Sequence, residues 1–218
     1  MGRIDLYRNV HKGQRAQLFG LAVELGTLDH LDRPAVASLV ERLRDLIADL
    51  RKHSENEEGF IHPLLRQKAP QVAADLDREH DVFEPILSEL DERIHRISAL
   101  EGDSSGELIE LYRAWCRMTS AYLTHIDREE SAAMPLLWET CSDEEIFAAI
   151  REFVASRSPS DQMHDLITQV PALAPHERAA LVGNILRDSP TSADSVFARL
   201  ADVLSPEALR RLRADVNP

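Results

Sequence analysis

Glycine and cysteine are scarce in this sequence, and each shortage excludes a class of protein. The 218 residues include eight glycines and two cysteines. So few glycines, without alternating runs of β-branched residues, argue against a β-sheet protein and favour an all-helical fold. Two cysteines, Cys116 and Cys141, do not make a disulfide framework. A free cysteine usually acts as a small buried apolar residue, and a reducing compartment is the simplest setting.

Positive charge and long apolar runs are also in short supply. The net charge is −13, and such an acidic surface repels nucleic acid phosphates and anionic membranes, so we expect neither as a partner. No run approaches the roughly 18 apolar residues of a membrane span. The N-terminus lacks the unbroken apolar stretch of a secretory signal. We therefore expect a cytoplasmic protein.

Helix-breaking stretches divide the first part of the chain into four long segments with helical periodicity. The breaks are LDRP at 31–34, KAPQ at 68–71 and EGDSSG at 101–106. Apolar residues recur at steps of three and four in each segment, which places them on one helix face. Four such helices joined by short turns predict an up-down-up-down four-helix bundle.

The sequence changes character after the fourth helix. SDEE at 142–145 predicts a capping box that begins a fifth helix. Beyond it, Pro- and Ser-rich breaks separate short amphipathic helices that are too short to bury a core alone. We therefore predict a bundle plus fifth helix over residues 1–156, and a C-terminal helical extension packed on that bundle over residues 157–218.

One pattern occurs twice in the bundle. Residues 53–65 read HSENEEGFIHPLL and residues 125–137 read HIDREESAAMPLL, so both fit HxxxEExxxxPLL, 72 residues apart. The i, i+4 spacing within HxxxE stacks the histidine and the first glutamate on one helix face. Helices 2 and 4 of an up-down bundle run parallel, so the two copies present the same groups from opposite sides of the core.

Each apolar stripe of the four predicted helices contains one histidine. These are His11, His53, His80 and His125. Residues equidistant from the turn between two antiparallel helices lie at the same height, and the midpoint between each consecutive pair of these histidines falls at or beside a predicted turn. The four histidines should therefore converge with Glu57 and Glu129 on one layer of the core.

Six such groups at one level of an apolar core are costly unless cations lie between them. Imidazole nitrogens and carboxylate oxygens suit iron, zinc or manganese, and two carboxylates can bridge two metal ions. Six protein ligands around two metals leave positions open for a small exogenous ligand. The alternative is a layer of hydrogen-bonded histidines or buried salt bridges. The coincidence of six positions favours metal.

With these residues, the chain resembles the hemerythrin-like family, the HHE cation-binding domain, over about residues 3–140. The shared pattern is a histidine on helix 1, HxxxE on helix 2, a histidine on helix 3 and HxxxE on helix 4. The resemblance implies a non-heme centre of two iron ions, bridged by Glu57 and Glu129. The implied remaining ligands are His11 and His53 on one iron, and His80 and His125 on the other.

The sequence departs from the oxygen-carrying hemerythrins at one position. Those proteins have a second histidine on helix 3, four residues after the first, and Glu84 stands there in this chain. Either one iron lacks a histidine or Glu84 replaces it. Because Glu84 lies just off the stripe that contains Phe83, we expect it to support the ligands or face solvent rather than coordinate. The departure argues against simple reversible oxygen carriage.

Tyr122 is the candidate catalytic residue. It lies on the stripe of helix 4, three residues before His125. It is either an aromatic core residue or a hydrogen-bond donor to a small ligand at the metals. Tyr7 and Gln14 flank His11 in the same way, and the same two interpretations apply to them.

Three further polar residues of the repeats are expected to lie outside the site. His62 follows His53 by nine residues, which turns it about 180° round a regular α-helix. Glu58 and Glu130 follow the candidate ligand glutamates by one residue, which turns them toward solvent.

The residues and the resemblance together predict a di-iron protein that binds or reacts with oxygen, hydrogen peroxide or nitric oxide. Catalase-like peroxide decomposition and oxidase activity are its candidate reactions. The alternative is an iron- or oxygen-sensing regulatory module, in which the C-terminal extension reports metal occupancy to a partner protein that the sequence does not identify. A third and weaker interpretation is a structural zinc site.

Overall fold

A computed structural model describes residues 3–100, 103–188 and 193–216. Within these ranges the regular structure is helical and contains no strand, so the all-α prediction is confirmed. The helices are α1 Arg8–Thr27, α2 Arg33–Asn56, α3 His62–Lys68, α4 Pro70–Ala99, α5 Ser105–Arg128, α6 Met134–Thr140, α7 Asp143–Ser156, α8 Pro159–Gln169, α9 Pro175–Asp188, α10 Ala193–Ala201 and α11 Pro206–Val216. No helix in the described ranges combines the length and apolar character needed to cross a membrane.

Two π-helical turns continue the long helices of the repeats. The turn Glu57–Ile61 joins α2 to α3, and the turn Glu129–Ala133 joins α5 to α6. Each repeat is therefore one long helical segment with a wider turn at its glutamates. A 3₁₀ turn, Val170–Ala172, follows α8.

Local side-chain chemistry explains where α1, α2 and α4 begin. The N–H of Tyr7 donates to Asp5 Oδ1 at 3.1 Å, and α1 begins at Arg8, directly after this side-chain turn. Asp32 caps α2 by accepting a hydrogen bond from the N–H of Ala35 at 3.1 Å. Prolines, which lack the N–H that a first turn leaves unpaired, lie in the first turns of α2 and α4.

The capping box predicted for the fifth helix is confirmed. Ser142 Oγ accepts a hydrogen bond from the N–H of Glu145 at 3.2 Å, and Glu145 Oε2 accepts one from the N–H of Ser142 at 2.7 Å. In the predicted turn EGDSSG, residues 101 and 102 lie outside the described ranges. The next helix, α5, begins at Ser105.

The chain divides into two compact units. The first comprises the residues up to Tyr7 and Arg15–Phe153, and it forms the predicted four-helix bundle with α7. Leucines of the helical segments pack round Trp115, whose indole N–H donates to Leu18 O at 3.2 Å. A second apolar cluster includes Leu65 of α3. In the first repeat, the buried polar residues lie between these two clusters along the chain.

The second unit comprises Arg8–Gln14 and the residues from Val154 onward. Its apolar cluster is contributed by α8 to α11 and the turn after α8. Lys12 Nζ lies 2.6 Å from Glu177 Oε1, and a Cβ on Gly13 would lie 3.2 Å from Thr168 O, so glycine permits this close approach. The packing of the predicted extension on the bundle stays a prediction.

Candidate metal centre

Five of the six predicted ligands meet in the core of the first unit. His53 Nε2 lies 3.0 Å from Glu57 Oε1, and His125 Nε2 lies 3.3 Å from Glu129 Oε1. His80 reaches both carboxylates, with its Nε2 3.4 Å from Glu57 Oε2 and 3.9 Å from Glu129 Oε1. Glu57 is 2% exposed and Glu129 is 0% exposed. These five side chains therefore lie in one layer, at the common height along the bundle that the turn positions predict.

Two buried carboxylates make this layer strongly negative. Burial by itself lowers the pKa of His80, but hydrogen bonds and charge from Glu57, Glu58 and Glu129 outweigh burial and raise that pKa to about 9. Burial, followed by the charges of Glu57 and Glu129, raises the pKa of Tyr7 well above its usual range. Any positive charge in the layer, whether a proton or a metal ion, is stabilised by the same carboxylates.

Three histidines of the layer form a hydrogen bond through Nδ1, the ring nitrogen that faces away from Glu57 and Glu129, to a further carboxylate. The three pairs are His80 Nδ1 with Glu58 Oε1 at 2.9 Å, His125 Nδ1 with Glu79 Oε2 at 2.8 Å, and His62 Nδ1 with Asp77 Oδ1 at 2.6 Å. An ionised carboxylate only accepts hydrogen bonds, so each Nδ1 carries a proton. In the neutral form that a metal ion requires, each ring then has a lone pair on Nε2. Metal-binding histidines are typically fixed in this way.

The inner nitrogens of two of these rings face one another. His80 Nε2 and His125 Nε2 are 3.1 Å apart. Two lone pairs at this distance repel unless a proton or a metal ion lies between them. Two nitrogens at right angles on one metal, each about 2.1 Å from it, are separated by about 3.0 Å. The observed separation fits neighbouring positions on a single metal ion.

The prediction for the face of His62 is wrong. His62 is fully buried, and its ring stacks on that of His80 with centroids 5.3 Å apart and planes inclined by 17°. Its Nε2 has no hydrogen-bond partner within the described part of the chain. One ligand atom each of Glu57, His62, His80 and Glu129 lies within 4.8 Å of the others. Burial lowers the pKa of His62, which favours the neutral ring that a metal requires.

The π turn explains the error. The N–H of His62 donates to Glu57 O, five residues earlier. One extra residue in the turn reduces the rotation from His53 to His62 from about 180° to about 80°. Pro63, which follows, cannot donate to a carbonyl and would clash with one four residues earlier in a regular α-helix, so it favours the wider turn. Proline in PLL was the sequence signal for this arrangement.

Glu58, Glu84 and Glu130 lie at different distances from the layer. Glu58 was expected to face solvent, and although its side chain is 45% exposed, its carboxylate holds His80. Glu84 is 56% exposed and its Oε2 lies 2.9 Å from Arg51 Nε, so this surface ion pair places it away from the layer. Glu130 also points away from the layer and pairs with Arg15 at 2.6 Å.

Tyr122 adjoins the layer from the apolar side. It is buried, its ring packs edge-on against Phe83 with centroids 5.4 Å apart, and it lies 5.8 Å from the ring of His125. These contacts are those of an aromatic core residue. His11 and Gln14 are buried on the stretch of α1 that belongs to the second unit. The ligand role of His11 stays a prediction.

The chain belongs to the hemerythrin HHE cation-binding domain family, whose model matches residues 3–137. It is therefore a cation-binding domain, and the layer supplies histidine and glutamate side chains as candidate ligands. It is similar to a BRUTUS-like zinc finger protein of Arabidopsis thaliana, with 23% identity over 189 residues. That similarity covers 85% of this chain and 15% of the relative, so the chain spans a small part of the relative's length. No solved structure gives a significant match.

Proposed function

We propose that this domain holds two iron ions, bridged by Glu57 and Glu129, and that it decomposes hydrogen peroxide or binds oxygen or nitric oxide. The observation that carries the proposal is the inner lining of the layer. Two buried carboxylates converge there with the Nε2 atoms of His80 and His125, which accept rather than donate once the rings are neutral. Metal cations would be stabilised by such a set of groups, and imidazole combined with carboxylate suits iron.

The iron pair would supply two adjacent redox-active centres with positions open to a small ligand. His53 would serve one centre and His80 with His125 the other, while the two glutamates bridge both. Two apolar clusters flank the layer. The outer carboxylates of Glu58 and Glu79 keep His80 and His125 in the tautomer that directs Nε2 inward.

Tyr7 is the better candidate for a hydrogen-bond donor to the bound small ligand. It is fully buried, and the charges of Glu57 and Glu129 contribute to the rise of its pKa, so Tyr7 lies close to the layer. Tyr122 packs among aromatic rings instead. A hydroxyl beside the reacting ligand can donate a hydrogen bond to the charge that develops on it.

Substitution of Tyr7 by phenylalanine should lower hydrogen peroxide turnover by about a hundredfold, the lower range for loss of one positioned hydrogen-bond donor. Iron content and the ferric absorption spectrum should stay unchanged, because the ring still fills the same space. Tyr112→Phe, at a half-buried position on α5, is the matched control and should keep full turnover. Equal turnover in Tyr7→Phe and the parent protein would remove Tyr7 from the reaction.

The metal content tests the proposal itself. Protein loaded with ferrous iron without oxygen, desalted and measured by inductively coupled plasma analysis should contain about two iron ions per chain, because the two glutamates are shared between two centres. After oxidation it should show ferric charge-transfer absorption and should consume hydrogen peroxide. One iron ion or none per chain would refute the di-iron assignment. Tight zinc binding with rejection of iron would identify a structural zinc site instead.

A regulatory module is the second candidate, and the second unit favours it. This unit has its own apolar core and includes Arg8–Gln14 of α1, where Lys12 pairs with Glu177. Iron that orders the bundle would in this case be reported by the C-terminal helices to a partner protein. Iron-dependent resistance to proteolysis without peroxide turnover would favour this function. The net charge of −13 argues against nucleic acid and anionic membranes as that partner.

A further inference from the structure

His62 is a buried acceptor that the proposed centre does not use. It lies on the first turn of α3, is fully buried, and its Nε2 has no hydrogen-bond partner in the described ranges. Buried polar side-chain atoms are nearly always hydrogen-bonded or bound to an ion. The exception therefore requires an explanation.

The ring of His62 is held in one orientation. Asp77 of α4 accepts from its Nδ1 at 2.6 Å, and Asp77 is itself held by Arg66 of α3 at 3.0 Å. With Nδ1 engaged, the remaining nitrogen is Nε2. Glu79, which accepts from the outer nitrogen of His125, is likewise paired with an arginine, Arg128. His62 thus has the same supporting arrangement as a proposed ligand.

The position of His62 also matches that of a ligand. One of its nitrogens lies within 4.8 Å of ligand atoms of Glu57, His80 and Glu129, and its ring lies flat against the ring of His80. The equivalent residue of the second repeat is Met134. Its Sδ already accepts from the N–H of Leu6 at 3.3 Å. The first repeat alone therefore adds a nitrogen to the layer.

We propose that His62 is a further metal ligand, bound through Nε2 to the ion held by His80 and His125. This inference rests on the proposed di-iron function. Glu84 occupies the position on α4 where the oxygen-carrying hemerythrins have a further histidine ligand. His62 of α3 would supply that histidine instead. The two metal ions then differ: that of His80 is nearly filled by protein ligands, and the small exogenous ligand binds the ion of His53.

The test compares His62→Gly with the parent and with His95→Ala, which removes an exposed histidine of α4. Iron-57-loaded proteins are examined by Mössbauer spectroscopy and by iron content after dialysis against a competing chelator. The parent should show two distinct quadrupole doublets of equal area. His62→Gly should keep one doublet, lose or shift the other, and bind that iron at least about tenfold more weakly. Added imidazole should restore the lost signal, and His95→Ala should match the parent.

Two irons with an unchanged spectrum in His62→Gly would overturn this inference while leaving the di-iron proposal intact. A parent protein that fails to hold two irons would overturn the di-iron proposal itself. If His62→Gly fails to fold, Asp77→Asn keeps the histidine and removes only the carboxylate that directs it. That variant should weaken binding of the same iron by about 10–100-fold. Parent-like affinity and spectrum in Asp77→Asn would count against the proposed coordination.

Discussion

Replacing Glu129 with alanine should remove at least one of the two iron ions, and replacing Glu57 should do the same. Each carboxylate is buried at the centre of the layer and lies within 4 Å of histidine nitrogens from two helices. Removing a proposed bridge takes a ligand from both metal ions at once. We expect about two iron ions per chain in the parent protein to fall to one or none, as measured by plasma analysis.

Two neighbouring glutamates supply the controls for these substitutions. Glu130 follows Glu129 directly, but it forms a half-buried ion pair with Arg15. Glu84 pairs with Arg51 at the surface. Each pair contributes about 0–1 kcal/mol to stability, so Glu130→Ala and Glu84→Ala should fold and retain both irons. If Glu84→Ala lost iron while Glu129→Ala kept it, the assignment of the bridging residues would be wrong.

The layer itself could be predicted from the sequence because it depends on regular geometry. His53, His80 and His125 lie on apolar stripes, and their separations are set by the turns at LDRP, KAPQ and EGDSSG. A constant rise per residue then places them at the same height. The π turns do not disturb these predicted heights, because a single wider turn shifts a residue along the helix axis by very little.

The arrangement around the histidines could not be obtained in this way. A π turn leaves height nearly unchanged but rotates every later residue by about 100°, so the assumption of 3.6 residues per turn placed His62 on the wrong face. The contacts of the Glu58, Asp77 and Glu79 carboxylates with the histidines could not be predicted for a different reason. They lie beside the apolar stripes, where acidic residues usually face solvent, and only the neighbouring helix determines that they reach a histidine.

Deletion of Gly59 should preserve the metal layer, although it removes a residue from the middle of a long helical segment. Gly59 lies in the π turn and is exposed, with open space around it. Shortening the π turn by one residue gives a regular α-helical turn. His53, Glu57 and His62 would then be spaced i, i+4, i+8 and would keep their inward faces. The deletion variant should therefore retain about two iron ions per chain.

The deletion should still have a measurable effect, because Pro63 would then lie in a regular α-helix. Its ring would meet the carbonyl four residues earlier, at a cost of about 3 kcal/mol. In a domain of this size, that corresponds to a decrease in Tm of about 6–12 °C. Adding Pro63→Ala to the deletion should recover most of the loss, since alanine restores the N–H and removes the clash. Thermal melts of the three proteins, all loaded with iron, measure both changes.

Deletion of Glu41 provides the contrast, since it removes an exposed residue from the regular part of α2. No wider turn is present there to absorb the change, so the preceding turns rotate by about 100° against the rest of the helix. Val36, Leu39 and Val40, which are buried, would leave the core. At about 1.5–3 kcal/mol for each side chain, their exposure costs about 5–9 kcal/mol, comparable to the whole stability of a typical domain. We expect this variant to lose cooperative unfolding and to bind no iron. If the Gly59 and Glu41 deletions were equally damaging, the π turn would not be the feature that directs His62 inward.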